Sequence, residues 1–357
     1  MDFTLNEEQS AVGELAARIL GDLCPPDALR AHEAAGGGIH AAAWKAMAEA
    51  DLLGLALPEA AGGGGYTVLE AALIAEQVGR HVAPVPYAST AAAALALADA
   101  GGHDELLGRV VAGGAVLAIA VDDAAGSVTA SPADGANTRL TGTASFVTWA
   151  PVADAVVVAA TTDGGEAGLH LVRPGEGVTI VEEDAVWGLP QGTVELAAAP
   201  ATSLGGADAV ERIVAVATAL NCATVAGLCE GAIRITATYV SEREQFGARI
   251  GTFQAVGQRM ADSYIDTQGV HLTAQQAAWQ LAAGLPADEA VHIAKWWAAW
   301  GGHRVAHAAQ HLHGGIGLDV EYPVHRYFRW IKVLELQLGS GTDHLRRLGA
   351  LIAAEPV

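Results

Sequence analysis

The segment SEREQFGARIGTFQ, residues 241–254, gathers two arginines, two glutamines and two phenylalanines around a Phe-Gly turn. Arg243 falls where a long helix ends. Its planar guanidinium can reach an adjacent phosphate or pyrophosphate through two parallel N–H donors. Gln254, at the start of the next helix, can add amide hydrogen bonds to the same ligand. The alternative is that Arg243 caps the carboxyl end of its own helix. A second segment, GGHRVAHAAQHLHGG, holds His303, His307 and His311 at four-residue steps, followed by His313, Gly314 and Gly315. Three histidines so spaced span about 12 Å of helix and cannot share one metal ion. No HExxH glutamate or nearby carboxylate completes a pair, so no metal site is expected. Gly314 and Gly315 leave backbone open at a helix end, where a ribose or phosphate oxygen can approach closely.

These residues need a helical frame, and the surrounding periodicity supplies one. Residues 209–242 read as one long helix, 253–283 as a second, a third opens at Pro286 and runs to the glycines at 314–315, and a last lies around 342–353. Long helices with short connections imply a four-helix bundle. The first third is also helical. Val12, Leu15 and Ile19 form a stripe at three- and four-residue spacing. AAAWKAMAEADLLGLAL continues the pattern to Pro58, and Thr67 is a candidate N-cap. Between them, from about residue 116, short Val-, Ile- and Thr-rich runs (VLAIAV, RLTGTASFVTW, DAVVVAAT, AGLHLVR, GVTIVEE, GTVELA) are spaced as antiparallel strands. The expected fold is therefore mainly α with a middle β domain: helices over 1–115, a β-barrel-like unit over 116–206, and a helical bundle over 207–357. Gly62–Gly65 is no phosphate loop, because no strand precedes it and no Lys-Ser/Thr pair follows.

Composition narrows the partners. A formal charge of −21 argues against nucleic acid and, less strongly, against anionic membranes. No segment is expected to reach the length and apolarity of a membrane span. The acidic, polar opening MDFTLNEEQS lacks a signal core, which points to the cytoplasm. The three cysteines, Cys24, Cys222 and Cys229, read as buried, reduced thiols.

REQFG-ARIGTFQ, followed about 60 residues later by HLHGGIG and then by RYFRWIKV…LGSGTDHLRRLGALI, resembles the C-terminal domain of the acyl-CoA dehydrogenase family. The MDFTLNEEQ start, the LPEAAGGGG loop and the order of domains extend the likeness over nearly the whole chain. The resemblance implies FAD lying between subunits. Arg243, with Gln245 and Phe246 beside it, would contact the pyrophosphate of a neighbour's flavin, while Gln254 and the segment His311-x-x-Gly314-Gly315 would contact its adenosine half. His311 stands where the family has Gln.

The departures from the family pattern are equally informative. The family's catalytic base is usually a Glu directly before the Gly-Thr of the last helix, and here that residue is Ser340. An alternative family position for the Glu falls on Ala217. Serine cannot abstract the α-proton of a thioester at neutral pH. The flavin-cradling loop reads VDDAAGSV, with Asp122 and Asp123 acidic but Gly126 and Ser127 retained. The aromatic-Ile-Thr step reads Phe146-Val147-Thr148, and Arg234 replaces a substrate-contacting Asp. The resemblance is to the base-lacking subunits of α2β2 acyl-CoA dehydrogenases that act on bulky, steroid-type CoA esters. It implies a paralogous catalytic partner, an acyl-CoA substrate and an electron-transfer flavoprotein as acceptor. Two alternatives remain: a self-sufficient homomer with Glu211 or Asp343 as a relocated base, and a flavin-free scaffold.

Overall fold

The structure, a computed structural model, describes residues 4–122, 127–132 and 137–354. Six helices come first: α1 (Glu7–Leu23), α2 (Pro26–Ala34), α3 (Ala41–Glu49), α4 (Val68–Arg80), α5 (Tyr87–Ala100) and α6 (Asp104–Val111). The strands β1 (Leu117–Ala120), β2 (Val128–Pro132), β3 (Asn137–Thr148), β4 (Ala155–Thr162), β5 (Ala167–Val172), β6 (Val178–Glu183) and β7 (Gln191–Gly205) follow. Then come α7 (Ala207–Glu242), the two-residue strands β8 (Glu244–Gln245) and β9 (Ala248–Arg249), α8 (Gln254–Ala282), α9 (Asp288–His313), α10 (Val324–Leu334) and α11 (Gly341–Ala354). This is the expected succession of helical, β and helical domains. The four expected C-terminal helices are α7, α8, α9 and α11, and α10 is an addition to them. By packing, the chain gathers into two units. One comprises Met1–Ala34, Ala72–Ala83 and Thr218–Val357, the other Ala35–Ala71 and Pro84–Ala217.

In the second unit β4, β2, β3, β7 and β5 pair in that order, and a β4–β5 pairing closes the ring. The barrel-like expectation holds, but the pairing is not purely antiparallel: β1 and β2 both run parallel to β4. Parallel neighbours need a long crossover, and for β1 the crossover contains β2 and β3 themselves. Val128 and Ala130 of β2 alternate with exposed residues and join Leu140, Val156, Val158, Val194 and Leu196 in the barrel core. In the same unit α3 stops at Glu49 instead of continuing to Leu57. Asp51 turns into the left-handed region at φ 57°, which breaks the helix. The stretch released then receives the glycine loop: the amides of Gly64, Gly65 and Tyr66 donate to the carbonyls of Gly54, Leu57 and Leu55. A Cβ at Gly63 would lie 2.3 Å from the Leu57 carbonyl oxygen. The glycines thus serve close backbone packing. Thr67 caps α4 as expected, its Oγ1 accepting from the Leu69 amide while its own amide donates to Glu70.

In the first unit α1 buries Ala16 and Leu20 most deeply, one residue round from the expected stripe. The long helix α7 corrects the expectation about membrane spans. It is long and apolar enough to qualify, yet 83% of its apolar window is buried inside the protein. Cys222 and Cys229 lie in that buried face as free thiols, and Cys24 is likewise free and buried. Burial pushes the Cys222 thiol up to about 12, which keeps it protonated and inert.

Buried His344 anchors α11, its Nε2–H donating to the Leu338 carbonyl at 2.8 Å. Its Nδ1 must then accept, and it lies 3.0 Å from His292 Nδ1. Burial, with Lys295, His292 and Arg347 adding to it, drives the His344 pKa down to about 4. Unfolded histidine titrates near 6.5, so the unfolded chain takes up the extra proton first. Stability is therefore fully present above pH ~6.5 and falls by up to about 3 kcal/mol as pH drops toward 4. Urea melts at pH 7.5, 5.5 and 4.5 should show this decline, and a His344→Gln variant should flatten it. A pH-independent midpoint across that range would contradict the assignment.

Candidate functional site

The junction between α7 and α8 is built as a miniature hairpin. β8 and β9 pair antiparallel, Gln245 opposite Ala248, leaving Phe246 and Gly247 as the two turn residues at φ 54° and 78°. A two-residue hairpin of type I′ needs positive φ at both positions. Glycine adopts it freely, but a phenylalanine there costs on the order of 1–3 kcal/mol. The Phe246 ring is 96% exposed, lying 6.4 Å from the Phe253 ring. An exposed aromatic on strained backbone gains nothing from the chain's own core. The turn is fixed from behind by the Ile250 amide, which donates to the Arg243 carbonyl at 2.9 Å.

Arg243 itself is exposed and makes no ion pair with the described residues. Gln245 is exposed, its Nε2 donating to the Glu244 carbonyl. Gln254 is the first residue of α8, also exposed, and no side chain caps that helix. The positive end of a 29-residue helix, a free guanidinium and two carboxamides therefore belong to one short segment, a donor set suited to a pyrophosphate.

The second predicted segment ends α9. His311 is exposed, and its carbonyl accepts from the Gly314 amide. Gly314 sits at φ 60°, ψ −136°, a conformation reserved for glycine. Nothing lies within 4 Å of a Cβ built on Gly314 or Gly315, so the backbone is open to a ligand. His313 is instead buried. His303 and His307 neighbour one another with ring centroids 4.3 Å apart. Contrary to expectation a carboxylate does reach this row: Glu335 Oε2 is 3.2 Å from His303 Nδ1. Among the described residues no group of three His, Cys, Asp or Glu is arranged to hold a metal ion.

Ser340, the residue before Gly341-Thr342, caps α11. Its hydroxyl donates to Asp343 Oδ2 at 2.6 Å and its amide to the same oxygen at 3.1 Å, while the Asp343 amide returns to Ser340 Oγ. This reciprocal box explains a serine there, and it commits Asp343. The Ser340 hydroxyl and amide hold the Asp343 carboxyl below the usual carboxylate range. Glu211 is exposed near the start of α7, and Ala217 is buried. Ser340 lines a cavity of about 370 Å³ with Trp296, Trp300, His303, Glu335 and Leu345. Glu335, which the sequence reading missed, is the carboxylate of that cavity; Lys332 pairs with its Oε1, and its Oε2 lies 3.2 Å from His303 Nδ1, a nitrogen that Lys332 Nζ also approaches at 3.1 Å.

In the β unit, Phe146 stands at a register shift between Ala144 and Val147, at φ 59° and 63% exposed. It is a second aromatic held outward on strained backbone. Val147 is buried. Of the VDDAAGSV segment Asp122 and Ser127 are described, while Asp123 and Gly126 lie outside the described residues. Arg234 is exposed on α7.

Known proteins share this architecture. Residues 6–113 match the acyl-CoA dehydrogenase N-terminal domain and residues 204–352 the acyl-CoA dehydrogenase C-terminal domain. The chain is 39% identical to acyl-CoA dehydrogenase FadE27 of Mycobacterium tuberculosis over the full length of both. It is 40% identical to a chain of the ChsE4-ChsE5 complex from Mycobacterium tuberculosis, covering all of both chains with a TM-score of 0.94. Against the Tcur3481-Tcur3483 steroid ACAD G363A variant identity is 40%, coverage 98% of this chain and 99% of the other, and the TM-score 0.93. With both terminal domains matched and full-length identity at this level, the chain belongs to the acyl-CoA dehydrogenase family.

Proposed function

We propose that this chain is the base-lacking subunit of a heteromeric, FAD-dependent acyl-CoA dehydrogenase that desaturates a bulky, steroid-type acyl-CoA between its α and β carbons. One observation carries the reading. The residue at the base position, Ser340, is a helix cap bonded to Asp343, and the cavity's carboxylate, Glu335, is already paired with the Lys332 ammonium. Abstraction of the α-proton requires a free carboxylate, which the partner would bring. FAD, when bound, supplies the hydride acceptor. This chain's part is to hold it: Arg243 neutralises pyrophosphate charge, Gln245 and Gln254 donate amide hydrogen bonds, Phe246 packs against the cofactor, and His311, Gly314 and Gly315 lie along the adenosine half.

The exposed Arg243–Phe246 turn and the open Gly314 backbone support that assignment. Support for a paralogous partner comes from the ChsE4-ChsE5 and Tcur3481-Tcur3483 complexes, each named for two chains, the second a steroid ACAD. We assign residues 1–115, 116–206 and 207–357 as the three domains. The family likeness extends the reading to an electron-transfer flavoprotein as acceptor and to the cytoplasm as compartment. Expression alone and with a paralogue that carries the Glu tests the proposal. The lone chain should be colourless, and the pair should hold about one flavin per two chains. A yellow homomer with one flavin per chain would overturn it.

A further inference from the structure

The two turns assigned to the cofactor belong to different helices, and a cluster of three rings joins them. Tyr239 lies one turn before Arg243 on α7, and its carbonyl accepts from the Arg243 amide at 2.9 Å. Its ring stacks on that of His313, the last residue of α9, with centroids 4.6 Å apart and planes 23° from parallel. Tyr322, in the connection to α10, closes the cluster at 5.1 Å from His313 and 6.1 Å from Tyr239. It is held in turn by His325 Nδ1, which donates to its carbonyl at 2.7 Å. His313 is buried, with Nδ1–H donating to the Ala309 carbonyl at 2.8 Å. Its Nε2 is also buried and has no hydrogen-bond partner. A ring kept there despite an unpaired polar atom is kept for its shape and stacking.

We infer that His313, stacked on Tyr239 and packed at a tilt against Tyr322, is a positioning residue that fixes the Arg243–Gly247 turn relative to the Gly314–Gly315 turn, so that both present their donors to one cofactor at once. The inference rests on the reading that these turns contact FAD, but the coupling between them is a property of the free chain and is measurable there.

Hydrogen exchange of the full chain without FAD tests the coupling. His313→Ala should speed exchange about tenfold or more in both 243–252 and 314–318, because removing the ring frees both ends of the stack. His313→Phe keeps the ring, removes the unpaired nitrogen and should leave both segments within about twofold of wild type. Tyr239→Leu approaches the same stack from α7 at a half-buried position, and should loosen 314–318 across the gap if His313→Ala does not fold. In the assembled enzyme, titrated with FAD alone, His313→Ala should weaken binding about five- to tenfold and His313→Phe less than about twofold. Loosening confined to the mutated helix, or a His313→Phe protein as loose as His313→Ala, would overturn the joint. Should FAD affinity be indifferent to Arg243→Ala, the cofactor reading fails instead, and the exchange result still decides whether the two turns are coupled.

Discussion

Replacing Arg243 with alanine is expected to weaken FAD binding by the assembled enzyme about 10- to 100-fold while leaving the fold of the chain intact. The two halves of that expectation have separate causes. A charge-assisted, bidentate contact to a phosphate oxygen pair contributes about 1.5–3 kcal/mol, and each 1.4 kcal/mol is about tenfold in affinity. Arg243 is exposed and makes no ion pair with the described residues, so its removal strands no buried carboxylate and costs the free chain little. Arg243→Lys should fall between, because an ammonium keeps the charge but not the fork. Fluorescence titration of FAD at constant salt, paired with a thermal melt, separates the two effects. An affinity within twofold of wild type would remove Arg243 from the cofactor site.

Gly227→Ala should destabilise the first unit by about 3 kcal/mol or more, a large share of the 5–15 kcal/mol that a folded domain typically holds. A Cβ at Gly227 would lie 1.8 Å from the Glu76 carbonyl oxygen, and one at the facing Gly79 would lie 1.9 Å from the carbonyl oxygen of Thr224. Here α7 and the later part of α4 meet backbone to backbone, and the obstacle is main chain, which cannot rotate away as a side chain would. Gly257→Ala is the matched control: it is exposed on α8 with nothing within 4 Å. There the change should be neutral or stabilise slightly, by up to about 1 kcal/mol of helix propensity. Urea denaturation of both variants gives the comparison. Equal midpoints would mean that the crossing is looser than the structure has it.

Local order was legible in the sequence where one physical signal governed it. The expected helix at 253–283 and the observed α8 differ by one residue at each end, because long periodicity and flanking turns agree there. Thr67 was legible as a cap by its type and place, and the structure adds Glu70 as its partner. What depended on partners distant in sequence was not legible. The Gly62–Gly65 loop has no periodicity, and only the folded chain shows those glycines packing on the backbone of residues 54–57. The parallel pairing of β1 with β4 is a closure property of the barrel that no single strand encodes. Glu335 lies 32 residues beyond His303 in the chain and comes beside it through the packing of neighbouring helices.

The candidate site divides along the same line. Arg243, Gln254 and the glycine pair stand out by type and spacing, whereas the Tyr239–His313 stack needed coordinates, since 74 residues separate two otherwise ordinary aromatic side chains. Ser340 is intermediate between these cases. A serine three residues before an aspartate at a helix start is a readable cap, but reading it as a lost base required the family comparison.

The most direct test of the central claim is thioester oxidation by this polypeptide alone. The chain should be purified without any paralogue, supplied with excess FAD and an artificial electron acceptor, and assayed on a steroid-type acyl-CoA. We expect no turnover above the rate without enzyme, with activity appearing only when a Glu-bearing homologue is added. Sustained turnover by the single species would contradict the account, because it would mean that a carboxylate within these 357 residues removes the α-proton.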